Sequence, residues 1–388
     1  MGGSRRTALL AAHARSPEQS HNGLVSRILR TSAVSAVSAV ILAGCSTDDI
    51  GYSGEAAGPS APAAVESTRE PPSAEPDSTA TQDGAAEEKP ARPVSVLGLA
   101  NQRHRGDRLR IGAVRSQDSA YTSYNVRYRS RDTTPKGEES YTITGVLNVP
   151  RGPGPFPAVV LAHGYIDPAI YVRGQGMTRE RDYLANRGYI ALHVDYRNHA
   201  GSDDDPLFQV RMRLGYSADV INAVKALRGS RDVPVADDQV FLFGRSMGGG
   251  VVLKALIAEP GLVRAAVAYS SVSSMERDNY NQFIRPDPED SGLRDRLSRR
   301  YGTPEENPRF WRENSSRPYF ERVTEPVLLV HGRRDTTCPP RWATATQRAL
   351  NQAGVDSALA WYDDEHAFVP AFNASMDRII GFFDGKSS

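Results

Sequence analysis

From residue 96 to residue 388, short apolar runs alternate with longer amphipathic stretches. Apolar runs rich in Val, Ile and Leu are typical of buried strands, and apolar residues spaced three and four apart are typical of helices. The pattern predicts strands at 156–162, 189–195, 239–243, 263–269, 326–330 and 358–362, and helices near 178–187, 212–227, 248–258 and 370–380. Strands and helices in regular alternation indicate an α/β fold with a mostly parallel central sheet flanked by helices.

Two parts of this region depart from the alternation. Residues 108–150 contain aromatic-rich runs of alternating polarity, which predict antiparallel strands at the N-terminal edge of the sheet. Residues 271–325 are polar, rich in Arg, Asp, Glu and Pro, and still contain Trp311 and several other aromatic residues. We expect this insertion to form a small helical cap above the carboxyl ends of the strands, with a surface excursion as the alternative.

The segment before residue 96 has a different composition. Residues 46–95 are dominated by Ser, Ala, Pro, Glu, Asp, Thr and Gly and contain almost no large apolar side chains. Such a segment buries too little apolar surface to offset its ordering entropy, so we expect a disordered linker ahead of one folded domain at 96–388. The net charge is +1 and there is no basic tract, which argues against a nucleic-acid partner.

A further apolar stretch at 33–42 follows Arg27 and Arg30 and leads into Leu42-Ala-Gly-Cys45. A charged segment followed by an apolar one too short to span a bilayer is typical of a secretory signal. The ending resembles the lipobox of bacterial lipoproteins. That resemblance implies a signal peptide at 1–45, lipidation of Cys45, and an exported protein anchored to the outer face of the cell membrane.

Alternatives to this lipid anchor remain open. An ordinary cleaved signal would give a secreted protein, and the apolar run can also arise by chance. Residues 1–23 are polar and basic, so one hypothesis places the true translation start nearer Val25, and another assigns Arg5-Arg6 to a twin-arginine signal. Cys338 is the second of two cysteines, and we expect no structural disulfide.

Three short segments contain candidate catalytic residues. Ser246 lies in Gly-Arg-Ser-Met-Gly (244–248), between a predicted strand and a predicted helix, where glycines two positions either side of the serine permit a sharp turn. Asp335 follows the strand at 326–330, and His366 follows the strand at 358–362. Nucleophile, acid and histidine in this order is the layout of an α/β-hydrolase triad. Taken singly, each residue has an ordinary alternative as a cap, turn or surface residue.

An oxyanion hole is predicted next to this serine. The strand at 156–162 ends in His163-Gly164-Tyr165, which corresponds to the loop that supplies one backbone N–H, from Tyr165. The second N–H is expected from Met247, the residue after the nucleophile. A simple strand-ending turn is the alternative for the first loop. Among the other histidines, His199 is a weaker candidate for substrate contact.

The segments 301–315, 326–335 and 361–368 resemble the catalytic domain of the prolyl oligopeptidase superfamily. The likeness is to the acylaminoacyl and dipeptidyl peptidase branch and covers about residues 139–385. It implies an α/β-hydrolase fold with Ser246 as nucleophile, His366 as base and Asp335 as the acid that orients it. The implied mechanism requires no metal and no organic cofactor.

This resemblance leaves the substrate open. Family members that cleave peptides usually carry a large N-terminal β-propeller, which also supplies paired glutamates for the peptide amine, and residues 46–138 are too short for one. We expect a serine peptidase acting on short peptides, with a carboxylesterase acting on small acyl esters as the alternative. A tethered binding protein on the same fold is a remote third hypothesis. The sequence leaves the oligomeric state undetermined.

Overall fold

The computed structural model describes residues 92–134 and 137–387. The expected signal peptide at 1–45 with Cys45, and all but the last residues of the expected linker at 46–95, lie outside this range. Within the described residues one sheet has nine strands. They are β1 (Arg103–Gln117), β2 (Tyr121–Thr134), β3 (Gly137–Pro150), β4 (Phe156–Ala162), β5 (Ile190–Val194), β6 (Val235–Arg245), β7 (Ala266–Tyr269), β8 (Val327–Gly332) and β9 (Ser357–Tyr362).

The strands lie in the order β1-β2-β3-β5-β4-β6-β7-β8-β9. The pairs β1–β2, β2–β3 and β3–β5 are antiparallel, and every pair from β5 to β9 is parallel. The predicted fold class, a mostly parallel sheet with an antiparallel N-terminal edge, is therefore confirmed. All six parallel strands end at one edge of the sheet, where sites in open α/β folds are built.

Helices cover both faces of the sheet and fill the long insertion. They are α1 (Val96–Ala100), α2 (Thr178–Ala185), α3 (Leu214–Arg228), α4 (Met247–Ala258), α5 (Glu276–Asn279), α6 (Ser291–Tyr301), α7 (Pro308–Glu313), α8 (Pro340–Gln352) and α9 (Phe372–Ser387). A π-helical turn spans Tyr280–Ile284 and a 3-10 turn spans Arg317–Arg322.

Strand β4 shows how the sheet separates two apolar cores. Ala158, Val160 and Ala162 join the cluster that contains α3 and α4, whereas Val159 and Leu161 join the cluster that contains α2 and α9. All five side chains are fully buried. A strand buried on both faces has a continuous apolar sequence, which is why the apolar run predicted this strand correctly.

The N-terminal strands are longer than the apolar runs that predicted them. Strand β1 is largely exposed along its second half, yet its backbone pairs with β2 from Arg103, opposite Thr133, to Gln117, opposite Thr122. Antiparallel pairing satisfies backbone groups whatever the side chains are, so polarity alone underestimates such strands. Ser95 accepts a hydrogen bond from the Gly98 N–H and caps α1, so the last residue of the expected linker already belongs to the folded domain.

The insertion at 271–325 is helical, with α5, α6, α7 and the two turns. It is anchored by aromatic side chains that are almost fully buried: Tyr280, Phe310, Trp311 and Phe320. Polar contacts tie it to the loop after β5, because the Tyr301 hydroxyl donates to the Val210 carbonyl at 2.8 Å. None of the helices in residues 92–134 and 137–387 has the length and apolar character needed to cross a bilayer.

Candidate functional site

Ser246 occupies the turn between β6 and α4. Its backbone has φ 55° and ψ −121°, an angle pair that an L-residue adopts at a cost. Strand β6 on one side and helix α4 on the other maintain these backbone angles. The turn places the Ser246 hydroxyl at the carboxyl edge of the sheet, next to the N-terminus of α4, where the helix dipole favours negative charge.

The two flanking glycines are required by close backbone approach. A Cβ on Gly248 would overlap the Ala162 carbonyl oxygen and would lie 2.8 Å from the His163 carbonyl oxygen. A Cβ on Gly244 would overlap the Gly248 carbonyl oxygen. The start of α4 therefore docks against the end of β4, which fixes Ser246 beside the loop that follows β4.

His366 lies in the loop between β9 and α9 and bridges the other two candidate residues. Its Nε2 is 3.1 Å from Ser246 Oγ, and its Nδ1 is 2.8 Å from Asp335 Oδ2. An ionised carboxylate only accepts, so Nδ1 carries the hydrogen and Nε2 is left to accept from the serine hydroxyl. The structure thus brings Ser246, His366 and Asp335 into one hydrogen-bonded series.

Both carboxylate oxygens of Asp335 have hydrogen-bond partners. The side chain is fully buried, Oδ1 accepts from the Cys338 N–H at 2.7 Å, and Oδ2 faces His366. His331 approaches Oδ2 to 3.4 Å, while its Nε2 lies 2.8 Å from the Cys338 carbonyl oxygen. Burial lowers the pKa of His331, so its imidazole is neutral and its Nε2–H donates to that carbonyl. These contacts fix the carboxylate plane against the His366 ring.

The residues predicted to form the oxyanion hole lie on either side of the serine. Met247 opens α4, and the first N–H groups of a helix have no acceptor within the helix. Gly164, just before Tyr165, would place a Cβ 3.2 Å from Ser246 Cβ. The Arg213 guanidinium lies 4.8 Å from the centre of the Tyr165 ring, and its Nη1 is 3.9 Å from Met247 Sδ. The Arg213 guanidinium therefore approaches the side chains of both residues whose N–H groups are the candidate donors.

Three residues that the sequence did not single out hold the His366 loop. Arg245 Nη2 donates to the carbonyl oxygens of His366 at 3.4 Å and Ala367 at 3.3 Å. Arg179 donates to the Ala367 carbonyl at 2.9 Å, and the Glu180 carboxylate lies 3.6 Å from Arg245 and 3.7 Å from Arg179. Burial raises the pKa of Glu180 against the opposing effect of Arg245. Of these three residues, Arg245 could have been noticed in the sequence, because it directly precedes Ser246.

His199, the weaker candidate for substrate contact, is almost fully buried, which argues against that role. It is 1% exposed, and its ring packs edge-on against Tyr171 at 4.8 Å and against His163 at 5.2 Å. Its two nitrogens face the carbonyl oxygens of Arg197 and Ile166. Burial and the neighbouring His199 lower the pKa of His163 to about 3. These histidines form a neutral aromatic layer beneath the loop after β4.

The insertion reaches the neighbourhood of Tyr165. Partial burial raises the pKa of the Tyr165 phenol, Arg213 opposes this shift, and Asp290 and Asp287 of the insertion reinforce it. The Gln282 side chain also reaches toward the Thr337 carbonyl oxygen, at 3.5 Å, in the loop that holds Asp335.

Comparison with known proteins assigns a family to this architecture. Residues 176–385 match the model of the prolyl oligopeptidase family, and this segment includes all of α2 to β9 and most of α9. Dipeptidyl peptidase 4 of Sus scrofa is 27% identical over 189 residues, which cover 47% of this chain and 23% of that protein. Esterase EstD of Thermotoga maritima is 26% identical over 228 residues, which cover 54% of this chain and 52% of that protein.

Solved structures share the fold at lower identity. Acetyl xylan esterase 1 from Thermoanaerobacterium superimposes with a TM-score of 0.54 at 20% identity, over 73% of this chain and 89% of that one. The acylaminoacyl peptidase of Pyrococcus horikoshii gives a TM-score of 0.51 at 18% identity, over 72% of this chain and 56% of that one. The chain spans about a quarter of the length of the dipeptidyl peptidase that it matches.

Proposed function

Because the chain belongs to the prolyl oligopeptidase family, we propose that it is a serine hydrolase that cleaves an acyl bond through an acyl-enzyme. We assign Ser246 as the nucleophile, His366 as the general base and Asp335 as the acid that orients the histidine. The observation that supports the assignment is the hydrogen-bonded series of these three side chains, with separations of 3.1 and 2.8 Å. Nucleophile, base and orienting group within hydrogen-bond reach are what covalent acyl transfer requires.

The proposed reaction has two halves. His366 Nε2 takes the hydroxyl proton as Ser246 Oγ attacks the carbonyl carbon, and the resulting imidazolium is stabilised by the Asp335 carboxylate. The tetrahedral intermediate collapses as the imidazolium gives its proton to the leaving group. Water then attacks the carbonyl carbon of the acyl-enzyme in the same way, and His366 is again the base.

The N–H groups of Tyr165 and Met247 are proposed to hold the oxyanion. One such donor typically contributes about 10²–10³ in turnover. The N-terminus of α4 adds the positive end of its dipole. The Arg213 guanidinium, next to the Tyr165 and Met247 side chains, is proposed to favour negative charge in this region and to disfavour a positively charged substrate group there.

The bond cleaved is proposed to be a peptide bond, with an ester bond as the second candidate. The peptide assignment is supported by the family and by the likeness to dipeptidyl peptidases. The ester assignment is supported by the Thermotoga esterase, which is about as similar in sequence and is matched over a larger share of its own length. In both cases the insertion at 271–325 is proposed to cap the site, since its Gln282 side chain reaches the loop that holds Asp335.

Parallel assays distinguish the two bonds. The purified chain is offered peptide p-nitroanilides and p-nitrophenyl esters with the same acyl group, and kcat/KM is measured for each, with Ser246→Ala as the blank. A peptidase hydrolyses both classes, because an ester is the easier substrate for the same acyl-enzyme route. Ester turnover without detectable anilide turnover would reject the peptidase assignment and leave the esterase.

Export and lipid anchoring through Cys45 are proposed on the sequence alone. We expect mass spectrometry of membrane-bound protein to find an N-terminal cysteine peptide with a lipid mass added. A mature N-terminus elsewhere, or a membrane-bound N-terminal Cys45 peptide without an added lipid mass, would contradict the anchor.

A further inference from the structure

Cys338 lies directly beside the proposed triad. Its side chain is fully buried, and its backbone N–H is the one that donates to Asp335 at 2.7 Å. Burial, reinforced by the Asp335 charge, raises the pKa of the thiol. Cys338 is thus a neutral thiol in the resting protein, and the mechanism proposed above gives it no role.

Within residues 92–134 and 137–387, Cys338 completes a group of three potential metal ligands. One ligand atom from each of Asp335, Cys338 and His366 lies within 4.8 Å of the other two. A tetrahedral Zn²⁺ site has bonds of about 2.0–2.3 Å, so its ligand atoms lie roughly 3.3–3.8 Å apart. Side-chain movements of about 1 Å would close the group around an ion.

The chemistry of the three donors suits a thiophilic divalent cation. Zn²⁺ and Cd²⁺ bind thiolate and imidazole ligands readily, whereas the hard cations Mg²⁺ and Ca²⁺ prefer oxygen ligands. One thiolate and one carboxylate would cancel the charge of a divalent ion, which matters because Asp335 and Cys338 are buried. His366 is 22% exposed at its side chain and offers the approach from solvent.

We propose that a thiophilic divalent cation binds at Asp335, Cys338 and His366 and inhibits the enzyme by occupying its triad. Binding exchanges the S–H bond for a metal–sulfur bond and releases the thiol proton to solvent. A metal on Nε2 of His366 takes the lone pair that would accept the Ser246 proton. A metal on Nδ1 instead breaks the hydrogen bond to Asp335 and forces the hydrogen onto Nε2. A metal bound to either nitrogen therefore leaves Ser246 without its base.

Metal binding is tested independently of activity. The full chain contains two cysteines, so a Cys45→Ser variant leaves Cys338 as its only thiol. Cd²⁺ titration of this variant should produce the ultraviolet thiolate-to-cadmium charge-transfer band with one ion per chain, and Zn²⁺ should raise its melting temperature. The double variants Cys45→Ser/Cys338→Val and Cys45→Ser/Cys338→Ser should show neither a thiolate band nor the melting shift. Absence of the band in Cys45→Ser itself would overturn the proposal.

Inhibition is tested on the same proteins with the ester substrate, each variant being compared with its own activity without metal. Outer contacts to metal ligands typically contribute 10–100-fold to affinity, so losing the thiolate should raise the half-inhibitory Zn²⁺ concentration by at least about 100-fold. EDTA should restore the activity of Cys45→Ser. An unchanged half-inhibitory concentration in both Cys338 variants would refute the site. If the chain were no hydrolase, the cadmium band would still decide the binding, so failure of the proposed function and failure of this site are distinguishable.

Discussion

Replacement of Asp335 by Asn tests the proposed role of the buried acid. The Cys338 N–H, 2.7 Å from Oδ1, decides how the new amide lies, because only the carboxamide oxygen can accept it. The NH₂ group then faces His366 Nδ1, which must become an acceptor and move its hydrogen to Nε2. In that tautomer His366 cannot take the proton of Ser246.

The size of the effect follows from the alternative orientation. Turning the amide over restores the productive tautomer but leaves the NH₂ group and the Cys338 N–H facing each other in a buried position. Each unsatisfied buried donor costs about 1–3 kcal/mol, so the productive form is disfavoured by about 2–6 kcal/mol. With the imidazolium also losing its counter-charge, we expect kcat to fall by about 10⁴ with KM little changed.

The assay is steady-state hydrolysis of the best ester or anilide substrate. Asp363→Asn is the matched control, because Asp363 is exposed and paired only with Arg334 at 2.6 Å among the described residues; its kcat should stay within about twofold of wild type. Thermal melting verifies that both variants are folded. A folded Asp335→Asn protein that keeps more than a tenth of the wild-type kcat would refute the assigned role.

Three further predictions concern the frame around the triad. Gly248→Ala should abolish activity and lower the melting temperature, because the new Cβ would overlap the Ala162 carbonyl oxygen. Gly381→Ala in α9 is the control, because a Cβ there would have no other atom within 4 Å. This variant should be as stable as wild type or more stable by up to about 1 kcal/mol. Arg245→Gln should lower kcat/KM by about 10–100-fold by loosening the His366 loop, whereas Arg334→Gln, a change at an exposed arginine, should not. The unfolding free energy measured in urea should fall as the pH drops below about 6.5, because the unfolded chain then binds protons that the folded chain does not. Each histidine whose pKa is lowered by burial should contribute up to about 1.4 kcal/mol per pH unit. A flat profile from pH 7 to 5 would contradict the neutral state of four buried histidines, His163, His193, His199 and His331.

The elements that carry the triad were predictable because their signals are local. The parallel strands are buried on both faces and have continuous apolar sequences, and glycines two positions either side of Ser246 indicate a tight strand-to-helix turn. Asp335 and His366 each follow such a strand directly. Since parallel strands end at the same edge of the sheet, their side chains were expected to lie near each other.

Contacts between distant segments were not predictable in the same way. Arg179 holds a carbonyl 188 residues further along the chain, and no local pattern marks such a pair. His199 follows a predicted strand much as His366 does, but the rings of Tyr171 and Tyr216 enclose it. The position of Cys338 beside Asp335 and His366 depends on how the loop after β8 turns, which periodicity does not encode.

Ser246 is proposed to be an activated nucleophile. Incubation of the folded protein with a fluorophosphonate probe, followed by peptide mass spectrometry, shows whether it is. We predict one covalent adduct per chain at Ser246, no adduct in folded Ser246→Ala, and strongly slowed labelling in Asp335→Asn. A folded wild-type protein that stays unlabelled, or that is labelled at another residue, would show that Ser246 is not the nucleophile.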